Sequence, residues 1–478
     1  MDAPEHALAF ELAQVAPDRH RRGARGRHQI AHAHAGGGTH SGHDRFEAVR
    51  TLHVFDSTAT VLDVQSTPRR ARIATIVAFA TNGALPATLL ARYAEVKTAL
   101  SLDAAAFGLV VVGFTLGAAA SFHLPGVILR RLGIRRTAAL GTAWIALALL
   151  AAAAGVAHGS VWIFLGGLAL AGFGDAVVDV AQNAQGLLVQ QAYRRSLLSS
   201  MHAGWSVGAA LGGIAGTVAA SLGVPLPVHL AAWGAAAVVA MGVSARSFLP
   251  EPAAAPPGRQ PTGPAEPAMP ADPIESTAHA RPARIDARAL RLLAPLALVA
   301  LAGFAVEDVG NNWSAVLLAT ERGVPTAAAG IGLSVLLVAQ FAGRLLGDRF
   351  IDRAGRRAAL VTSLSAVAAG LVAAAWAPWA PATIAGFALA GAGCAITVPL
   401  AFAGADAVPG LRPHAGVTLV SWTMRAGAVG LSPAIGQVAT LVSLPAAISA
   451  VALLAVAALL LHARGARAPH ADRVRGVS

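Results

Sequence analysis

From Ala71 to residue 461 the chain is a succession of apolar runs, each close to the roughly 20 residues a helix needs to cross the hydrocarbon of a bilayer. Twelve can be counted, at 72–91, 104–125, 137–157, 161–183, 199–219, 226–244, 292–318, 327–346, 358–376, 381–402, 417–438 and 444–461. Inside lipid every backbone N–H and C=O needs a partner within the protein, and repeated runs of this length meet that demand as helices. Charge content agrees, with 13% charged residues against about 25% in an ordinary soluble domain. The expectation is an all-α, polytopic membrane protein with 12 transmembrane helices.

Residues 1–70 hold no spanning run and contain eight of the sixteen histidines, so they are expected to form a disordered His/Arg-rich cytoplasmic tail. They lack the ordered basic, apolar and cleavage regions of a signal peptide. A proline-rich polar interval, 246–291, separates the sixth run from the seventh and reads as a linker between an N-terminal half (71–245) and a C-terminal half (292–461), followed by a basic tail (462–478). Arginines collect before the first run, after the second, fourth and eighth, and beyond the twelfth, whereas alternate loops hold only Arg92, Lys97 and Arg322. Because basic short loops stay cytoplasmic, both termini and the linker are expected inside. The same clustering turns the formal charge of +12 into a topology signal rather than a nucleic-acid one. With one cysteine, Cys394, neither an intrachain disulfide nor a multi-cysteine metal site is available, and no cofactor or metal is expected.

The halves also repeat in sequence. GLALAGFGD at 167–175 matches GFALAGAGC at 386–394 at an offset of 219, and the loop GVILRRLGIRR matches DRFIDRAGRR so that Gly133 aligns with Gly355 at an offset of 222. Parallel repeats of this size build one large class of transporter. The segment running from Gly347 through Asp348, Asp352, Arg353, Gly355 and Arg356 to Arg357 resembles the loop signature G-x-x-x-D-R-x-G-R-R of the major facilitator superfamily. In the first-half copy, which keeps Arg131 and Gly133, Arg130 stands where the acid belongs. More narrowly, GFGDAVVDVAQNAQG, SSMHAGWSVGAALGG and EDVGNNWSAVLL resemble a bacterial branch that includes a rhizopine-associated membrane protein. The resemblance implies two six-helix repeats around a central cavity lined by the first and fourth helices of each half. It also implies a monomeric, multi-pass carrier in a bacterial inner membrane that is not an enzyme.

An ionisable side chain in hydrocarbon is costly and normally faces protein or a water-filled path. Asp175, Asp179, Gln182 and Asn183 fall along one stripe of the fourth run, and Glu307–Asn311 and Asp308–Asn312 are i, i+4 pairs in the seventh. With Asn82, His202 and Arg425 they form the candidate substrate and proton-coupling set, in which Arg425 is the expected partner of Asp179, while Arg344 is expected to snorkel to the lipid edge. A carboxylate beside a cation keeps its charge and one in a closed apolar cavity favours its neutral form, a contrast suited to ion coupling. Asp348 and Asp352 would close a cytoplasmic gate against a helix N-terminus of the other half. The four glycines of the fifth run, Gly204, Gly208, Gly212 and Gly216, read as close packing or as a sliding surface.

The function these features predict is secondary active transport of a small solute, polar or sugar- or cyclitol-like, by alternating access and driven by a proton or sodium gradient. No nucleotide-binding loop offers another energy source. A multidrug-type efflux carrier is the alternative, although GAALGGIAG in the fifth run lacks the Gly-Pro pair of the antiporter signature. From other classes, a non-transporting sensor or scaffold would need a signalling domain. A membrane prenyltransferase would need a second aspartate-rich loop.

Overall fold

The computed structural model describes residues 68–194, 197–251, 287–409, 411 and 415–465, all within one compact unit. Most of the expected N-terminal tail (1–67), of the linker (252–286) and of the C-terminal tail (466–478) lies outside the described residues. The helices are α1 (Pro68–Leu90), α2 (Tyr93–Ala99), α3 (Ala104–Ser121), α4 (Leu124–Ala157), α5 (Val161–Tyr193), α6 (Leu198–Ser221) and α7 (Leu226–Arg246), then α8 (Ala287–Asp308), α9 (Ser314–Glu321), α10 (Ile331–Trp376), α11 (Ala380–Cys394), α12 (Thr397–Asp406), α13 (Ala415–Leu441) and α14 (Leu444–Gly465). A π turn, Val309–Trp313, joins α8 to α9. Local chemistry sets several starts: Asp103 and Ser160 accept the N–H of Ala106 and Ile163, and proline stands in the first turn of α4, α7 and α11, where its missing N–H costs nothing.

Ten helical stretches among the described residues are long and apolar enough to cross a membrane. Two features relate this number to twelve runs. α10 is 46 residues long but turns on Gly355 (φ 78°, ψ 153°), a conformation open to glycine because it has no Cβ. Its first arm packs on α11 with both chains ascending (Leu336 on Gly391, Gly343 on Ala392 and Ala395), its second with the chains opposed (Ser363 and Val367 on Gly393, Gly370 and Ala374 on Gly386), so the arms are antiparallel. α13, at 27 residues, is less apolar because it carries Ser421, Thr423, Arg425, Ser432 and Gln437. Twelve crossings are compatible with this set.

The sequence repeat coincides with a repeat of close helix contacts. Gly167 lies against Ala148 and Ala152, and Gly386 against Gly370 and Ala374; Gly172 meets the Phe114 carbonyl, and Gly391 that of Leu336. Gly133, at φ 75° and ψ 163°, turns α4 as Gly355 turns α10. Of the arginines in the alternate loops, Arg92 is buried on Glu95, His229 and the Val224 carbonyl, and Arg322 bonds Thr383 and carbonyls at the end of α10. Both act as clasps between helices, which leaves the exposed arginines concentrated at the opposite end.

The glycines of α6 meet α1 in a register that advances four residues at a time. A Cβ at Gly204, Gly208, Gly212 or Gly216 would collide with the carbonyl oxygen of Ile76, Ala80, Ala84 or Thr88. Both helices belong to one half, so the stripe is fixed packing. Gly208→Val is expected to cost about 3 kcal/mol because the obstacle is backbone, lowering the apparent melting temperature in detergent by roughly 5 °C or more. Gly242→Val, facing open space, is the control. Equal melting of the two variants would refute the packing account.

Candidate functional site

α3 and α13 cross where Gly108 packs on the Ser432 carbonyl and Gly436 on Ala104. Beyond that crossing the helices part. A cavity of about 1040 Å³ opens between Thr115, Ser121 and Phe122 on one side, Asp175 and Asp179 of α5 on another, and Thr418, Trp422 and Arg425 of α13 facing them. Its mouth lies at the end bearing Pro125 and the arginine-rich turn at Gly133. The opposite end is closed: Ala105 N–H donates to Thr440 Oγ1 (3.0 Å), Ser221 Oγ to the Ala327 carbonyl (3.2 Å), and Phe107 stands edge-on between Tyr93 and Trp313.

The α5 stripe is ordered from within. Asp179 Oδ1 accepts from Gln182 Nε2 (3.1 Å) and Asn183 Nδ2 (3.0 Å), which orients the carboxylate without neutralising it. Asp175, one turn earlier, lies against Asn82, whose buried Oδ1 has no hydrogen-bond partner among the described residues. Arg425 shares the cavity with both acids but forms no ion pair with either; the ion pairs among the described residues are Arg92–Glu95 and Arg344–Glu307.

The second pair corrects an expectation. Arg344 does not snorkel to lipid: its Nη2 donates to Glu307 Oε1 (3.0 Å) and its Nη1 to Ser206 Oγ (2.8 Å), spanning α10, α8 and α6. Gln340, one turn before Arg344, donates to the same Glu307 oxygen and contacts Cys394 Sγ. His202, edge-on to Phe79 at 4.9 Å, lies within electrostatic reach of both Asp179 and Arg344. The i, i+4 spacing of Gln340 and Arg344 was the available signal for this cluster.

Asp308 faces elsewhere. It is buried at the closed end, where Oδ2 accepts from Ser432 Oγ (2.7 Å) and Oδ1 from Asn312 Nδ2 (3.0 Å), while Asn312 Nδ2 and Trp313 Nε1 both donate to that Ser432 hydroxyl. Asn311 is half-buried in the same π turn, a type of helix defect frequent at functional sites. Glu307 and Asp308 are adjacent in sequence yet serve different clusters.

Among the loop residues, Arg131, Asp348, Asp352, Arg353, Gly355 and Arg356 are exposed, and the charged ones form no ion pair among the described residues. The first-half turn is not without an acid. Glu251, just past α7, accepts the Ile134 N–H and lies 3.1 Å from where a Gly133 Cβ would be, while Arg135 donates to the Phe248 carbonyl. A carboxylate from more than a hundred residues downstream thus caps the helix arm that begins at Ile134.

The chain matches the family model for the Major Facilitator Superfamily over residues 73–325. It is 28% identical to an uncharacterised MFS-type transporter of Yersinia pestis over 78% of this chain and 88% of that protein. To the uncharacterised transporter y4wD of Sinorhizobium fredii it is 30% identical over 76% of this chain and 89% of that protein. The membrane protein MosC of Rhizobium meliloti, from the branch the sequence resembles, is 33% identical over 28% of this chain and 33% of its own. In fold the chain is similar to the crystal structure of nucleoside transporter NupG, with a TM-score of 0.61 at 14% identity, covering 84% of this chain and 99% of that one. Helical spans, paired turns on Gly133 and Gly355, and family matches along most of the described residues lead to one assignment: the chain belongs to the major facilitator superfamily, as a multi-pass membrane transporter and not an enzyme.

Proposed function

We propose that this secondary transporter carries a small polar solute by alternating access, with proton movement as the driving force. Two halves, 71–245 and 292–461, would rock about a midplane site, with twelve crossings and with both termini and the linker in the cytoplasm. The observation that carries this reading is a cavity of about 1040 Å³, open at the arginine-rich end and sealed at the other, with ionisable side chains on its walls. In this state the solute reaches Asp179 and Arg425 from the open end. Closing that mouth while parting Gly108 from Ser432 would expose the same side chains to the far side. The coupling group is then Glu307, held by Arg344 and Gln340, with Asp179 its counterpart across His202. Asp348, Asp352, Arg353 and Arg356 would meet the other half when the cytoplasmic mouth shuts. Trp422, Phe122 and the valines of the lining favour amphiphilic solutes as a second reading.

Purified protein in liposomes, screened with small polyols, sugars and amino compounds under an imposed pH gradient and separately under a sodium gradient, tests the proposal. The expected result is accumulation of at least one polar solute under the pH gradient alone. Asp179→Asn, which keeps shape but not charge, is expected to lower that accumulation about tenfold, the effect of one charged contact. Accumulation under sodium alone, or an Asp179→Asn variant indistinguishable from the parent, would sink it.

A further inference from the structure

We infer that the solute is dipolar, bearing a cationic and an anionic group that the cavity receives on opposite walls. The inference rests on the cavity being the transport site. Asp175 and Asp179 stand on α5, and Arg425 stands on α13 facing them. No ion pair among the described residues joins these opposite charges, so each keeps its hydrogen-bonding positions open to a solute between them. On its own helix Asp179 accepts from the carboxamides of Gln182 and Asn183, and neither acid of α5 takes part in an ion pair among the described residues. Trp422, one turn before Arg425, lines the same wall and supplies an indole against which a short carbon skeleton packs.

The physical reason is cost. Charges held in a low-dielectric setting need a counter-charge once water is displaced. A cation alone would serve the α5 wall and strand Arg425; an anion alone would do the reverse. A solute carrying both satisfies both, while adding no net charge to the cavity as it closes. A volume of about 1040 Å³ leaves room for such a molecule with water around it.

The test is a ladder of ω-amino acids, from glycine through β-alanine, γ-aminobutyrate and δ-aminovalerate to ε-aminocaproate, which samples the distance between charges. Each is paired with the amine and the carboxylate of matching length, and binding to the purified protein in nanodiscs is measured by calorimetry. One member is expected to bind about tenfold more tightly than both of its single-charge counterparts. Asp179→Asn and Arg425→Gln, each checked by melting to be folded, are expected to bring its affinity down to that of a counterpart; Asp175→Asn serves if Asp179→Asn does not fold. Amines that bind as well as the best zwitterion with Arg425→Gln silent, carboxylates that do so with Asp179→Asn silent, or a ladder with no binder, would each overturn the inference. Uptake of the best binder into proteoliposomes separates the two readings: binding without uptake leaves dipolar recognition standing and removes the transport site.

Discussion

Glu307→Gln is expected to fold, to exchange solute across the membrane, and to lose more than tenfold of the accumulation driven by a pH gradient. Glutamine retains an oxygen that can accept from Arg344 and Gln340, so the shape of the cluster survives while the proton-carrying group is gone. Arg344→Ala is expected to behave differently, because it removes the fork that holds Glu307 with one arm and Ser206 of the first half with the other. Breaking a fully buried pair costs about 3–5 kcal/mol, and an exposed pair contributes 1 kcal/mol or less. With side chains 37% and 33% exposed, the pair lies between, and a loss of about 1–2 kcal/mol in apparent stability is the expected result. The double variant Glu307→Gln, Arg344→Gln separates coupling from structure. If the pair couples transport, the double variant recovers stability but not accumulation. Recovery of both would show that the pair only fastens α8 to α10.

Much of this arrangement was legible in the sequence, and what was hidden has a physical explanation. All twelve apolar runs fall on helices because hydrocarbon tolerates little else. The turns at Gly133 and Gly355 were legible as a repeat because each needs a residue without a Cβ. The ionisable positions were legible too, since a charge inside a span is rare enough to signal a use. Their partners were not. Depth along a helix follows from counting, but the direction a side chain faces depends on how neighbouring helices are rotated, and that is set by packing distributed over many small residues. Arg425 and Arg344 both sit in spans, and only the rotation of α10 puts Arg344 on Glu307. Glu251 was invisible for a related reason: no local pattern ties a residue after α7 to a turn before Ile134. The hydroxyl of Ser432, which gathers Asp308, Asn312 and Trp313, looks in sequence like any serine in an alanine-rich helix.

The backbone carbonyl of the same residue makes Gly108 the position where one added side chain should act most strongly on the conformational equilibrium. A Cβ there would overlap the Ser432 carbonyl and crowd Gly436, at the crossing of α3 and α13 that seals the end opposite the cavity mouth. The contact belongs to this closed end, so a leucine at 108 penalises the state in which the end is sealed and leaves the state with parted helices untouched. Only such a difference between states shifts a population. Overpacking against backbone costs about 3 kcal/mol, roughly a hundredfold in the equilibrium. Val180, which lines the cavity, reports the shift when changed to cysteine in a Cys394→Ser background. In membrane vesicles of both orientations, a membrane-impermeant maleimide should label the parent from the side of the cavity mouth. With Gly108→Leu, that labelling should fall at least tenfold and labelling from the other side should appear. Gly430→Leu, on α13 but facing open space, should leave the ratio unchanged. A folded Gly108→Leu protein still labelled from the original side alone would mean that the α3–α13 crossing does not govern access, and that the seal lies in the aromatic row of Tyr93, Phe107 and Trp313 instead.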